Sequence, residues 1–274
     1  MQIARHEFDS AASQALFARS ESRFRQVVAR GAPVDTLALS VLGNRALNLL
    51  GDCSVFDRQH DILRLAARIL AQARLGLVLL GTRERGATAD FPIGEVTVTM
   101  TSAGPEGLSD IGRWQEGWYG ALIAREAPAF AGLRAINPDR LRECADLDEY
   151  HYAWRRALLA LDSAPAESVA RVESALLLTD PAHATIAKPG VPGVAAKMFA
   201  MLPAIVERDA ARFNATLAGA LEAHKAFWGE ETPHGSISWF SLPAQAMCCL
   251  AHDRGIRIEV ESDYLLPALF APPR

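Results

Sequence analysis

The pattern of apolar and polar positions is helical through most of the first eighty residues. Apolar side chains recur three and four positions apart in residues 10–29, 35–50 and 57–80. That spacing places them on one face of an α-helix, so each of the three segments predicts a helix.

Residues at the ends of these segments suit helix termini. Asp35 and Asp57 are good N-cap residues, because a short carboxylate accepts hydrogen bonds from the first free backbone N–H groups. Gly51 and Gly81 stand just past the second and third segments, where a left-handed C-terminal cap would fall. The sequence therefore predicts helix ends at these four positions.

After residue 81 the helical spacing of apolar residues ends. Residues 82–90 are loop-like, and residues 95–101 alternate β-branched residues with others, which predicts one short strand. Ser109 or Asp110 then begins a helix that carries Trp114 and Trp118 on its apolar stripe. We expect both indole rings to lie in the core.

The second half again reads as helices. Residues 148–161 and 166–178 predict a helical hairpin joined at 163–165, and helices follow over 194–206, 209–228 and 241–253. Residues 179–193 are rich in proline and glycine, which is typical of a linker or a mobile surface loop. Residues 256–260 predict a second strand, which could pair with residues 95–101 as a small ribbon.

These elements predict a mainly α fold, an irregular multi-helix bundle of helical hairpins with one small two-stranded β element. We expect an N-terminal helical part over residues 1–101 and a C-terminal helical part over 102–274, or one continuous domain. At 274 residues with 50% hydrophobic content, the chain is long enough for either arrangement.

Composition narrows the function. The formal net charge of −4 offers no sequence-wide attraction to nucleic acid or anionic lipid and mildly favours a cationic partner. The charged start lacks the apolar run of a signal peptide, and no apolar stretch reaches the ~20 residues of a membrane span. We therefore expect a cytoplasmic protein that has no membrane partner.

Catalytic and metal-binding motifs are absent from the sequence. The chain contains no phosphate-binding glycine loop, no nucleophile elbow and no paired metal-ligand spacing among its seven histidines or four cysteines. His224, on the apolar stripe of its helix, is the best candidate for a functional histidine, although a hydrogen-bonded core residue gives the same pattern. We expect no catalytic residue, no cofactor and no metal.

Acidic residues are the best candidates for partner binding. Asp148 and Glu149 precede a helix, and Glu259, Glu261 and Asp263 crowd one short extended stretch. Carboxylates this close repel one another unless a basic group compensates, and Arg254, Arg257 or a basic partner could supply it. The full candidate set for partner binding is Asp148, Glu149, Glu230, Glu231, Asp253, Glu259, Glu261, Asp263 and Tyr264.

Two blocks of the sequence, RFNATLAGALEAHKAFW at 212–228 and CLAHDRGIRIEVESDYLLP at 249–267, resemble the immunity protein 49 family. Residues 120–126 and 148–158 look like the middle portion of the same family, so the resemblance covers roughly residues 110–267. Members are encoded beside polymorphic or secreted bacterial toxins. The resemblance implies that this protein binds a cognate toxin, often a nuclease with a basic surface, and blocks it inside the producing cell; it implies no catalytic residues.

Two other readings stay open at this stage. A helical scaffold or adaptor would have the same composition, because a fold does not set a function. An enzyme whose site assembles from scattered residues such as His224, Asp253 and Glu261 would escape a motif search, and a deep pocket that joins them would favour it.

Overall fold

A computed structural model describes residues 1–6, 11–30, 35–59, 61–230 and 236–272. The described chain is mainly helical, as the sequence predicts, and the strands are few and short. The elements in chain order are β1 (Gln2–Ile3), α1 (Ala11–Arg30), α2 (Thr36–Phe56), α3 (Ile62–Gly81), β2 (Thr88–Ile93), β3 (Val96–Thr101), α4 (Ile111–Ala124), α5 (Ala127–Ala135), α6 (Pro138–Arg142), α7 (Glu149–Ala160), α8 (Pro165–Leu177), α9 (Val191–Phe199), α10 (Met201–Glu207), α11 (Ala210–Glu230), α12 (Leu242–Asp253) and β4 (Glu261–Ser262).

The three N-terminal helices form where the apolar spacing predicts them, but their ends differ. Asp35 caps α2 as predicted, accepting a hydrogen bond from the Ala38 N–H at 2.7 Å. Asp57 does not begin α3; its own N–H closes the end of α2, and Asp61 is the residue before α3. The predicted glycine caps are also wrong, because Gly51 lies inside α2 and Gly81 is the last residue of α3.

Position 51 requires a glycine because glycine has no side chain, and not because of its conformational freedom. A Cβ atom on this residue would lie 1.9 Å from the backbone oxygen of Ser236, which belongs to a short 3-10 turn before α12. Glycine is therefore needed because two backbones approach closely, and a sequence pattern along one helix cannot reveal that approach.

The strand predicted at residues 95–101 is confirmed as β3, but its predicted pairing is wrong. β3 pairs antiparallel with β2, from Ile93 opposite Val96 to Thr88 opposite Thr101. β2 includes residues 88–90, which read as loop in the sequence. One face of this hairpin is buried through Ala89, Phe91 and Ile93, and the Phe91 ring packs against α3.

The strand predicted at residues 256–260 is wrong, since that stretch is extended without a ladder partner. The pairing begins one residue later: β4 pairs in parallel with β1, placing Gln2 beside Glu261 and Ile3 beside Ser262. The fold thus holds two small two-stranded sheets in the described chain, one of which ties the N-terminal residues to the C-terminal segment.

Helix α3 lies at the centre of the core and is buried around almost its whole circumference, with α2, α4 and α5 packed against it. Trp114 and Trp118 on α4 are buried and stacked with ring centroids 5.0 Å apart, so the prediction that they are core is confirmed. The Trp114 Nε1–H donates to the Leu133 oxygen at 2.9 Å, which satisfies its polar atom inside the core.

The hairpin predicted from residues 148–178 is confirmed as α7 and α8. The single helix predicted over 194–206 instead forms as α9 and α10, with a break at Ala200. Pro203 explains the break, since proline has no N–H to bond the Phe199 carbonyl and its ring collides with that group.

Contacts cross the position where the sequence suggests a domain boundary. α3 packs on α4 and α5, and β1 pairs with β4, so residues before 101 contact residues after 102. The division at residue 101 stays a prediction. Within the described chain, no helix has both the length and the apolar content that crossing a bilayer would need.

The close approach at Gly51 predicts a large effect of a single methyl group. Gly51→Ala should lower the free energy of unfolding by about 1–3 kcal/mol, because the backbone of Ser236 must move. Gly219→Ala is the matched control, since this exposed glycine inside α11 has nothing within 4 Å of its ideal Cβ and should raise stability by about 0.5–1 kcal/mol. Urea unfolding of the three proteins measures both changes, and equal stabilities would contradict the predicted approach.

Candidate functional site

The candidate partner-binding residues belong to different elements of the fold. Asp148 and Glu149 lie at the start of α7, Asp253 ends α12, and Glu259 to Tyr264 lie in the segment around β4. Glu230 ends α11, about 24 Å along the helix axis from Asn214, which contacts the C-terminal segment. Glu231 lies outside the described residues.

Asp148 is buried and serves the fold. Its carboxylate accepts three backbone hydrogen bonds, from Thr185 at 2.8 Å, Ile186 at 3.0 Å and Ala187 at 2.8 Å. Burial alone would raise the pKa of Asp148, but the three N–H donors outweigh it and hold that pKa below its usual value. The carboxylate therefore clamps the segment 179–193 that the sequence suggests as a linker or mobile loop.

Two other candidates are engaged in surface ion pairs. Glu149 pairs with Arg142 at 2.7 Å and with Arg156 at 3.3 Å. Asp253 pairs with Arg125 at 2.9 Å. Pairs of this partly exposed kind contribute little to stability, so these carboxylates can exchange partners at low cost.

The basic residues that compensate the charge of Asp263 are not the predicted ones. The Arg58 guanidinium lies 3.4 Å from the Asp263 carboxylate and also donates to the backbone oxygens of Ser262 and Leu265. The Arg5 N–H donates to the other carboxylate oxygen at 3.2 Å. Arg254, one of the predicted compensating residues, pairs with Asp162 instead.

Tyr264 is fully buried, so it offers no surface to a partner in this conformation. Its hydroxyl accepts a hydrogen bond from the backbone N–H of His6 at 2.9 Å, and the His224 ring meets its ring edge-on at 4.8 Å. Burial raises the pKa of Tyr264, although Arg5 and the His6 N–H oppose the shift. Its role is to anchor the C-terminal segment to the core.

Glu259 and Glu261 are exposed, and neither forms an ion pair with a described residue. Their backbone is held firmly: Asn214 on α11 accepts from the Glu259 N–H at 2.7 Å and donates to the Arg257 oxygen at 2.9 Å. Sequence reasoning missed Asn214, Arg5 and Arg58 because each acts across a long interval of chain. The two exposed carboxylates are thus presented on a fixed segment.

A cleft of about 540 Å³ lies between α4, α7, α9, α11 and the start of α12. Its lining is mostly apolar and aromatic, with a few polar side chains from α4, α7 and α11. The lining residues are Leu47, Gly112, Gln115, Glu116, Tyr119, Tyr150, His151, Lys188, Val191, Val194, Ala195, Met198, Phe199, His224, Phe227, Trp228, Ile237, Phe240, Ser241, Leu242 and Pro243.

His151 and His224, the two histidines among the described lining residues, are neutral at physiological pH. Burial lowers the pKa of His151 to about 4 against the opposing charge of Asp148, and it lowers the pKa of His224 to about 4 against the hydrogen bond to Ser238. His224, the histidine that the sequence singles out, is buried on its helix face and bonded through Nε2 to the Ser238 oxygen at 3.0 Å.

The three residues that the hypothesis of an enzyme site brings together, His224, Asp253 and Glu261, do not meet in this cleft. His224 lines it, whereas Asp253 and Glu261 do not. No group of three or more histidine, cysteine, aspartate or glutamate side chains in the described chain is arranged to hold a metal ion. The four cysteines are buried as free thiols.

Comparison with known proteins gives one match. The sequence profile of the family described as Immunity protein 49 matches residues 62–268, which reach from the start of α3 past β4. No curated protein and no solved structure matches the chain significantly. The matched region begins well before residue 110, where the resemblance read from the sequence starts.

The clamp formed by Asp148 predicts a pH-dependent stability. Asp148→Asn should lower the free energy of unfolding by about 1–3 kcal/mol at neutral pH, because three backbone N–H groups lose a charged acceptor. Since the folded state depresses the pKa of Asp148, this contribution is complete above the ordinary aspartate pKa of about 3.9 and disappears as the pH falls through the lower folded value.

Urea unfolding at a series of pH values measures the difference between the two proteins. Asp146→Asn is the matched control, because Asp146 is exposed two positions away and should change stability by less than about 0.5 kcal/mol at every pH. A difference for Asp148→Asn that stayed constant down to acid pH would show that its charge is not what holds the loop.

Proposed function

We propose that this chain, which belongs to the immunity protein 49 family, binds and neutralises a cognate secreted bacterial toxin by protein–protein interaction. The observation that carries the proposal is the family match over residues 62–268, which covers most of the fold. The proposed place of action is the cytoplasm of the cell that makes the toxin.

The proposed target is a nuclease, and the proposed contact surface includes Glu259 and Glu261. A nuclease holds phosphate groups with basic residues, so its substrate cleft attracts exposed carboxylates. Both glutamates are exposed; Asn214 holds the backbone of Glu259, and the pairing of β4 with β1 holds that of Glu261. A surface that is ordered before binding loses less conformational entropy on association. Both facts support an electrostatic contact at this segment.

The other exposed or partly exposed candidates are secondary contacts in this proposal. Glu149, Glu230 and Asp253 belong to three different helices, α7, α11 and α12, and they are not part of the segment that carries Glu259 and Glu261. Tyr264 supports the proposed surface from inside, whereas Asp148 is engaged with the backbone of residues 185–187. An interface of about 1,200–2,000 Å² in total would extend well beyond the two glutamates.

A scaffold or adaptor role is the alternative function, and one experiment distinguishes it from toxin neutralisation. We expect the cognate toxin to be encoded by the gene next to that of this chain, and co-expression of the two should restore growth of cells that this toxin alone kills. The purified proteins should also form a complex by size-exclusion chromatography. Growth that stays arrested although the chain is expressed and folded would contradict the immunity function and leave the scaffold reading.

Charge reversal tests the proposed contact surface. The double variant Glu259→Lys and Glu261→Lys should lower the association rate with the toxin about tenfold at low ionic strength, and the difference should shrink at about 0.5 M salt, where charges are screened. Stopped-flow or surface plasmon resonance measures the rate, and circular dichroism verifies the helical fold.

The matched control carries the same change in net charge at other exposed sites. The double variant Glu84→Lys and Glu173→Lys reverses one charge on the loop after α3 and one on α8, both outside the C-terminal segment. An equal loss of association rate in both double variants would mean that only net charge matters, and the segment around β4 would no longer be the proposed surface.

A further inference from the structure

The walls of the cleft are held rigid by contacts behind them. The Trp154 Nε1–H donates to the Tyr119 hydroxyl at 2.7 Å, and the Trp154 ring stacks on Phe199 with centroids 4.3 Å apart. Tyr119, Phe199 and Phe240 are all buried members of the lining. A cavity of about 540 Å³ with such walls is preformed, and it falls within the range of about 300–1,000 Å³ typical of small-molecule sites.

Hydrogen bonds fix which nitrogen of each cleft histidine carries the proton. The Gln115 amide donates through Nε2 to the His151 backbone oxygen at 3.2 Å, so its Oε1 accepts from His151 Nδ1 at 3.1 Å. His224 donates through Nε2 to the Ser238 oxygen at 3.0 Å. In the neutral rings, His151 Nε2 and His224 Nδ1 are therefore acceptors, and no described residue donates to either.

Glu116 is the one carboxylate among the described lining residues, and its charge is already neutralised. Glu116 lies 2.7 Å from Arg74 and 2.8 Å from Arg113, both of which approach from outside the lining. Lys188 also lines the cleft, from the loop that Asp148 clamps. His151 and His224 are neutral, Glu116 is paired, and Lys188 is already engaged in an interaction of its own. The interior therefore offers acceptor nitrogens in apolar surroundings, and an ionised ligand would lose hydration there with little in return.

The shape of the cleft suits a small molecule better than a protein surface. Of the large apolar side chains that line it, Ile237 is the only described one that is largely exposed, at 44%. A stable protein interface needs about 800 Å² from each partner, whereas the other large apolar side chains of the described lining are buried or half-buried. The apolar surface is concentrated inside the concavity.

We propose that this cleft binds an uncharged aromatic small molecule that carries an N–H or O–H group. The aromatic body fills the space between Phe199, Phe227 and Phe240, and its donor bonds the free nitrogen of His151 or His224. This site is distinct from the toxin-binding segment, and the proposal does not depend on the proposed immunity function.

A pair of fluorescent probes of the same shape tests the class of ligand. N-phenyl-1-naphthylamine is uncharged and has one N–H, and 8-anilinonaphthalene-1-sulfonate is the same skeleton with a sulfonate. The first should bind the full chain at one site with a dissociation constant on the order of 10 µM. The sulfonate should bind at least tenfold more weakly, and equal or tighter binding of the sulfonate overturns the proposal of an uncharged ligand.

A third compound tests the hydrogen bond without changing the protein. 1-Benzylnaphthalene replaces the N–H of N-phenyl-1-naphthylamine by CH₂, and it should compete at least tenfold more weakly for the site. Competition at equal strength overturns the role of the histidine acceptors. Because these comparisons use the unaltered chain, they decide the matter even if a cleft variant fails to fold.

A cleft variant locates the site. Ala195→Phe places a ring into the cleft from α9 and should weaken binding of N-phenyl-1-naphthylamine at least tenfold. Ala196→Phe is the matched control, since Ala196 is the next residue on the same helix and does not line the cleft, and it should leave the affinity unchanged. No saturable binding to the unaltered chain, or full binding to a folded Ala195→Phe variant, overturns the proposal.

Discussion

The arrangement of the central helices depends on the burial of one charge, the guanidinium of Arg74. This side chain is fully buried in α3, the helix around which the core is built. It reaches Asn44 on α2 at 2.5 Å and Glu116 on α4 at 2.7 Å, so a single group links three helices. Burial lowers the pKa of Arg74 while Glu116 opposes the shift, and removing either partner would leave a costly unpaired charge. Glycines make room for it, because a Cβ on Gly43 or Gly117 would lie within 3 Å of its atoms.

A buried ion pair of this kind adds little net stability compared with apolar packing, and its stronger effect is on register. The pair joins α3 to α4 at Glu116, which directly follows Gln115 and lies one turn before Tyr119 on α4. Both residues line the cleft. The charge inside the core thus sets the shape of the cavity beside it and keeps the Glu116 carboxylate from acting there as a free anion.

The sequence predicts the features that depend on neighbours a few residues away and misses those that depend on distant ones. Helices α1 to α3, the hairpin of α7 and α8, and the stacked Trp114 and Trp118 follow from periodicity. The helix ends at Gly51 and Asp57 do not, because the first reflects a close approach by Ser236.

The candidate site shows the same division: the acidic stretch is visible in the sequence, but the partners of Asp263 lie at Arg5 and Arg58, more than 200 residues away. Likewise Asp148 reads as a surface charge until its three backbone donors, 37 to 39 residues on, are known.

Helix α11 contacts both the segment that carries Glu259 and Glu261 and the cleft, which raises the question of whether occupation of one can influence the other. Asn214 holds the segment near one end of the helix, and His224 lines the cleft about 15 Å further along. The link between them is Tyr264, whose ring meets His224 at 4.8 Å and whose hydroxyl bonds the His6 backbone.

Energetic coupling requires an element with two alternative arrangements, each favoured by one ligand. Tyr264 is fully buried, and its neighbours on both chain ends are tied by β1, β4, Arg5 and Arg58, so its described contacts define a single arrangement. The two sites are therefore expected to act independently, and occupation of the cleft should leave the charges at Glu259 and Glu261 where they are.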